Sequence, residues 1–304
     1  MFVRKYWLVL LSVVMIVVLS ACGANRSEHE PPTSDLNVQV IETQEIEPNL
    51  EELLFIHFID VGEGDAILIV QCNYSMLIDG GPPEMGTTVV DYLRNHGISR
   101  LDYIVATHPF ADHVGGLRNV LRQINTQNIL LPMVYHDTPA YNAFLVAAED
   151  AGADVAVPFA GHTFSLGNAA VTILSPSPTD EWDNRANYSI VMRVEFGLTS
   201  FLLMGDAMRE VEANLLNSTA LLSSDVLKVA RHGAQSATTS AFLDAVSPSI
   251  AVISAGTDNS FLSQEVLRRL NDAGTHIFRT DLNGSIVITS DGTLLRAGVE
   301  RVGR

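Results

Sequence analysis

The chain has 304 residues, 47% hydrophobic and 17% charged, enough apolar material for a substantial core, which excludes disorder over most of its length. Its 35 acidic residues against 18 basic ones leave a formal net charge of −17. That field repels polyanions and disfavours nucleic acid as a long-range partner unless a local basic groove offsets it.

Residues 1–22, MFVRKYWLVLLSVVMIVVLSAC, combine a short basic start with an apolar run, the pattern of a secretory signal. The ending Leu19-Ser20-Ala21-Cys22 resembles the lipobox at which bacterial lipoproteins are cleaved and lipidated, here on Cys22. A plain transmembrane anchor with an incidental cysteine is the alternative. Both place the remainder outside the cytoplasm, on the bacterial cell membrane. Cleavage removes Arg4 and Lys5 and no acid, so the charge goes from −17 to −19. Residues 23–51 are polar, acidic and proline-containing, and read as a flexible tether ahead of a domain over 52–304. Cys72, in the run AILIVQC, reads as a small buried hydrophobe.

From residue 54 the text becomes short β-branched runs with helical stretches between them. Strands are expected at LFIHFID (54–60), AILIVQ (66–71), SMLID (75–79), DYIVAT (102–107), NILLP (128–132) and AVTIL (170–174). The later ones are SIVMRVEF (189–196), TSFLLM (199–204), DVLKVA (225–230), SIAVIS (249–254), THIFRT (275–280) and GSIVITS (284–290). Amphipathic helices are expected over 87–97, 113–124, 141–152, 209–217, 239–247 and 264–274, several stopped by glycine. Two groups of strands with helices beside each predict two sheets face to face and helices outside, an α/β (α+β) domain in four layers, αββα.

The segment His108-Pro109-Phe110-Ala111-Asp112-His113 leaves one expected strand and enters a helix. Imidazole and carboxylate at such spacing converge outside the strand end, where a divalent cation takes both. This loop resembles the His-x-His-x-Asp-His loop of the metallo-β-lactamase superfamily. More narrowly, the chain is similar to the hydrolase domain of ComEC-type competence proteins and their free-standing relatives. The resemblance is carried by FIDVGEGDAILI, MLIDGG, LDYIVATHPFADHVGGL, NYSIVMRVEFGLTSFLLMGDA, DVLKVARHGAQSATTSAFLDAVSPSIAVISAG and HIFRTDLNGSIVITSDG.

The resemblance implies the αββα fold, and metal ligands at His108, Asp112, His113, Asp206 and His232, with Asp112 and Asp206 closest to the chemistry. Asp206 follows a glycine in a turn after an apolar run, although a helix N-cap is an equally ordinary role for it. Asp60 and Asp65 flank the Gly62-Glu63-Gly64 turn and would face the same cleft, or cap the turn. Asn187 and Ser189 resemble a polar pair lining the family pocket.

The departures fall on imidazoles. Phe110 stands where the loop has a second histidine, and it has no lone pair to give. Ala230-Arg231-His232-Gly233-Ala234 replaces Gly-His-His-Gly-Ser, so Arg231, a permanent cation, takes the place of another. Ser260-Phe261-Leu262-Ser263-Gln264 has no histidine where relatives read Tyr-Gly-His-Pro. One ion, zinc or manganese, held by Asp112, His113, Asp206 and His232 is the expectation, with Arg231 free to pair with Asp206 instead. His29, His57, His96, His136, His162 and His276 read as surface or structural. Two functions stay open: a metal-dependent hydrolase of small phosphodiesters or esters, and a degenerate relative that binds a ligand or partner without turnover.

Overall fold

A computed structural model describes residues 52–301 except 259. The expected signal, Cys22 and the tether lie outside the described residues. The elements run β1 Leu54–Phe58, β2 Ile67–Gln71, β3 Tyr74–Ile78, α1 Gly86–Asn95, β4 Arg100–Val105, α2 Ala111–Val114, α3 Leu117–Leu121, β5 Asn125–Leu130, α4 Pro139–Asp150 and β6 Asp154–Ala156. The chain continues through β7 Thr163–Leu166, β8 Ala169–Ser175, β9 Val191–Phe196, β10 Thr199–Leu203, α5 Arg209–Leu216, β11 Val226–Lys228, α6 Ser240–Val246 and β12 Ile250–Ile253. It ends with α7 Gln264–Asp272, β13 His276–Arg279, α8 Thr280–Asn283, β14 Ile286–Ser290 and β15 Leu295–Val299.

The strands form an eight-stranded sheet, β15-β14-β1-β2-β3-β4-β5-β6, and a seven-stranded sheet, β13-β12-β11-β10-β9-β8-β7. Alternation along each strand sends side chains to two different cores. Ile67 and Ile69 of β2, with Phe201 and Leu203 of β10, enter the core between the sheets. Leu68 points the other way into a layer with Val89, Leu93 and Phe144 of α1 and α4. Leu202 does the same on the second sheet, against Val211, Phe242 and Val266 of α5, α6 and α7. Three cores between four layers are the αββα sandwich that the strand and helix pattern predicts.

Within each sheet one half is parallel: β3-β4-β5-β6 in the first and β10-β11-β12-β13 in the second. Parallel neighbours need crossovers. These are α1, the α2–α3 pair and α4 on one side, and α5, α6 and α7 on the other. Several crossover helices are started by their own capping residues. Thr138 accepts from the Tyr141 N–H before α4, Thr239 from Phe242 before α6, and Ser263 from Glu265 before α7, each satisfying a donor that the first turn leaves open.

All twelve expected strands are present. The expected 113–124 helix is instead two short ones, α2 and α3, broken at Gly115-Gly116. β6, β7, β15 and α8 lie outside the expected elements. Each of the three strands sits at or beside a sheet edge, where one-sided burial leaves no apolar run to read; β6 is exposed at every position. Cys72 is also corrected: it is half-buried in the β2–β3 turn with φ 54° rather than packed in a core, and the Gln71 amide donates to its Sγ.

Candidate metal centre

The carboxyl ends of the parallel strands of both sheets meet at one place, and the candidate residues lie on the loops leaving them. Asp79 follows β3, Thr107 and His108 follow β4, Asp206 follows β10, and His232 follows β11. Open parallel sheets place ligands at this end. The β1–β2 turn closes the site from the side: Gly64 has φ +133°, and a Cβ there would lie 2.2 Å from the Asp112 carbonyl. Only glycine permits that approach.

The donor atoms face one another. His113 Nε2 is 3.4 Å from Asp206 Oδ1 and 3.8 Å from Asp112 Oδ2. His232 Nε2 is 3.5 Å from the same Asp112 oxygen and 3.7 Å from Asp206 Oδ1. On the far side of Asp206, its Oδ2 lies 3.5 Å from His108 Nε2. Asp206 thus has one oxygen turned to each half of the centre, and Asp112 is its one partly open donor, with a side chain 30% exposed.

Each imidazole is held through its other nitrogen. His113 Nδ1 is 2.8 Å from Asp79 Oδ2. The Thr107 hydroxyl also donates to Asp79, at 2.6 Å, so its oxygen is left to accept from His108 Nδ1, at 3.1 Å. His232 Nδ1 donates to the Ser254 carbonyl at 3.1 Å. In each case the held nitrogen carries a proton, so that in the neutral imidazole the lone pair of Nε2 faces inward.

The electrostatics follow from burial. For Asp206, burial alone would raise the carboxyl's pKa, but His113, His108 and His232 hold it well below the usual range. Burial opposes a charge on His113, yet Asp206 and Asp79 outweigh it and raise this imidazole well above 6.5. His232 is raised in the same way, against burial, by Asp206 and Asp112. Burial and the neighbouring His113 push His108 down to about 3. Behind His232, burial works against the charge on Asp65, but Lys228, whose Nζ donates to it at 2.8 Å, keeps it lowered.

His108, His113 and His232 Nε2, Asp206 Oδ1 and Asp65 Oδ1 are all buried without a hydrogen-bond partner. Unpaired buried polar atoms are costly, and four of these five converge around Asp206. A divalent ion with bonds of about 2.0–2.2 Å separates tetrahedral donors by roughly 3.3–3.6 Å, close to the spacings among Asp112, His113, Asp206 and His232. Two donor sets share His113: His108, His113 and Asp206, and Asp112, His113 and His232, the ligand atoms of each lying within 4.8 Å of one another.

The other expected residues have different places. Asp206 is no helix cap, since α5 begins at Arg209 behind Met208. Asn187 accepts from the Met208 N–H at 2.9 Å and donates to Glu210 at 3.1 Å. Ser189 Oγ donates to the Ala186 carbonyl and accepts from the Asp206 N–H at 3.1 Å. The polar pair therefore holds the Asp206 turn rather than lining a pocket. Asp60 is not brought to the centre: it caps the Gly62 N–H and pairs with Arg301. Phe110 stands edge-on to His108 with ring centroids 4.9 Å apart. Arg231 forms no pair with Asp206, contrary to the expectation; its guanidinium donates to the Met208 sulfur and lies over Phe261, because Asp206 is already turned toward three imidazoles.

Sequence reasoning passed over Asp79, Thr107 and Lys228. Asp79 left one signal, an acid closing an apolar strand ahead of two glycines, and Lys228 another, a lone charge within the apolar run VLKVA. Of the remaining histidines, His57 is buried and structural, while His136 stands 5.5 Å from the Phe110 ring.

Comparison with known proteins bears on the family and the fold. The chain is 28% identical over 299 residues to ComE operon protein 3 of Bacillus subtilis (strain 168), covering 92% of this chain and 38% of that protein. It is 29% identical over 231 residues to competence protein ComA of Neisseria gonorrhoeae, covering 75% and 31%. The chain thus spans well under half the length of these relatives. Among solved structures, the metallo-β-lactamase fold protein YhfI from Bacillus subtilis has a TM-score of 0.51 at 11% identity, covering 81% of this chain and 100% of that one. CmlA, a diiron β-hydroxylase from Streptomyces venezuelae, has 0.51 at 14%, covering 81% and 54%; both are likenesses of fold. The family model of the metallo-β-lactamase superfamily matches residues 59–257, a span that contains every donor of the centre, and the chain belongs to that superfamily.

Proposed function

We propose that this chain is a divalent-metal-dependent hydrolase, phosphodiesterase-like, holding one zinc or manganese ion between Asp112, His113, Asp206 and His232. The observation that carries the reading is the set of buried, unpartnered donor atoms facing one another around Asp206. Two imidazoles and two carboxylates suit either metal. Bound there, such an ion supplies Lewis acidity and a nucleophile from water near neutral pH.

The residues divide the remaining work. Asp79, Thr107 and the Ser254 carbonyl fix the imidazoles, so little reorganisation accompanies the reaction. Asp112, the donor most open to solvent, takes the proton of the attacking water. Ser189 and Asn187 hold the turn that aims Asp206. We assign the protein to the outer side of the cell membrane, held through a lipidated Cys22 and the 23–51 tether. Among the described residues no helix is long and apolar enough to cross a membrane.

Metal content after chelator-free purification, followed by hydrolysis of bis(4-nitrophenyl) phosphate, tests the reading. One ion per chain is expected, with turnover abolished in Asp206→Ala and His113→Ala. Equal background rates in wild type and both variants with every divalent metal tried would overturn it. The second reading, a ligand-binding relative without turnover, is favoured by Phe110 beside His108. It predicts that Phe110→His with Arg231→His gains an ion over wild type without which no hydrolysis is seen.

A further inference from the structure

Arg231 is placed at the edge of the centre and has no acid to answer it. Its backbone N–H donates to the Gly205 carbonyl at 3.0 Å, one residue from Asp206, and φ values of 47° and 53° at Arg231 and His232 hold the pair in a left-handed bend. That bend sends His232 inward to Asp206 and Arg231 outward along the rim. The guanidinium rests on the Met208 sulfur and lies 5.9 Å from the centroid of Phe261. Phe261, 43% exposed, stands in turn 6.0 Å from the His232 ring.

Other described arginines that are similarly shielded from solvent behave differently. Arg193 pairs with Glu195, Arg269 with Glu265 and Arg279 with Asp281. In a chain with 35 acids and 18 bases, a half-buried arginine among the described residues that reaches no carboxylate is the exception. A thioether and an aromatic face support a guanidinium without neutralising it.

We infer that Arg231 is an anion-recognition residue: it takes an oxyanion of the substrate, a phosphate or carboxylate, while Phe261 against its guanidinium and Phe110 on the His108 side of the centre offer apolar walls for a planar or apolar substituent. This rests on the metallohydrolase reading and names the substrate class, an anionic ester with an apolar group beside its charge.

The test uses the full chain in mild detergent, metal-free and zinc-loaded, titrated calorimetrically with phenylphosphonate, which cannot be hydrolysed. Losing a charge-assisted hydrogen bond weakens binding by roughly 10–100-fold, and that loss is expected in Arg231→Gln, with Arg231→Lys retaining part. Phe110→Ala is expected to weaken phenylphosphonate while leaving inorganic phosphate unchanged. In unmutated protein, phenylphosphonate should also protect Arg231 from phenylglyoxal, read by peptide mass. Equal affinity in wild type and Arg231→Gln, absence of binding to wild type, or Arg231 modification unchanged by saturating ligand would each overturn the inference. Zinc content of the same samples keeps the two readings apart. Arg231-dependent binding by a chain that takes up no zinc supports the anion subsite and sinks the metallohydrolase. Arg231-independent binding to a chain with one zinc does the reverse.

Discussion

Lys228 is fully buried, and its ammonium donates to Asp65 at 2.8 Å and to the Val229 carbonyl at 3.1 Å. Removing one partner of such a pair leaves a bare charge in the interior, which costs about 3–5 kcal/mol. Lys228→Met should lower the urea-unfolding free energy of the metal-free chain by that amount, and adding Asp65→Leu should recover most of it. If the single and double variants unfold alike, the pair does not hold the floor beneath His232. Asp79 acts on the metal side, since it orients His113 through Nδ1. Losing such an outer carboxylate lowers metal affinity by roughly 10–100-fold. Asp79→Asn should show that loss in a zinc competition against a chromophoric chelator, with the far-ultraviolet circular dichroism unchanged. Neither residue stood out from its motif. Their partners lie 163 and 34 positions away, and one-dimensional spacing carries no information about a contact that only the packing of two sheets creates.

At the scale of elements, the centre depends on how closely the β1–β2 turn approaches the loop between β4 and α2. The Asp65 N–H donates to the Asp112 carbonyl at 3.3 Å, and Gly64 leaves no room for a methyl group. Gly64→Ala must move one loop off the other, so we expect zinc affinity and thermal stability to fall together. Gly97, at the end of α1, also has positive φ but meets nothing within 4 Å. Gly97→Ala should cost only about 1 kcal/mol and leave zinc binding intact. A Gly64→Ala chain that binds zinc like wild type would show that the turn is not a wall of the centre. This contrast also explains what was legible in the sequence. Strands buried on both faces, such as β2 and β10, announce themselves as apolar runs, and loops that carry several donors within six residues announce themselves as motifs. The break between α2 and α3 was written in Gly115-Gly116 but masked by an apolar period that continues through it. Asn187 and Ser189 were visible, yet their task of holding the Asp206 turn depends on hydrogen bonds 21 and 17 residues long in sequence.

For the whole molecule, the buried histidines fall into two groups with opposite pH responses. Burial and His96 push His57 down to about 3, and burial and His113 do the same to His108. Unfolding returns both to about 6.5, so the unfolded chain takes up protons first and stability is lost as the pH falls from about 6.5 towards 3. His113 and His232 are raised above 6.5 because Asp206 and the other nearby carboxylates outweigh burial. Their contribution is complete below about 6.5 and is lost as the pH rises through the raised folded values. The metal-free chain should therefore have its highest Tm near pH 6.5, declining on either side. An ion at this centre requires both imidazoles neutral, so its uptake releases protons and its affinity climbs over the same alkaline range. Above about pH 6.5, Tm in chelator should fall while the increment added by zinc grows. A chelated chain whose Tm stays flat or rises over that interval would contradict an imidazolium at His113 beside Asp79 and Asp206, and with it the view that the ion replaces a proton at that position.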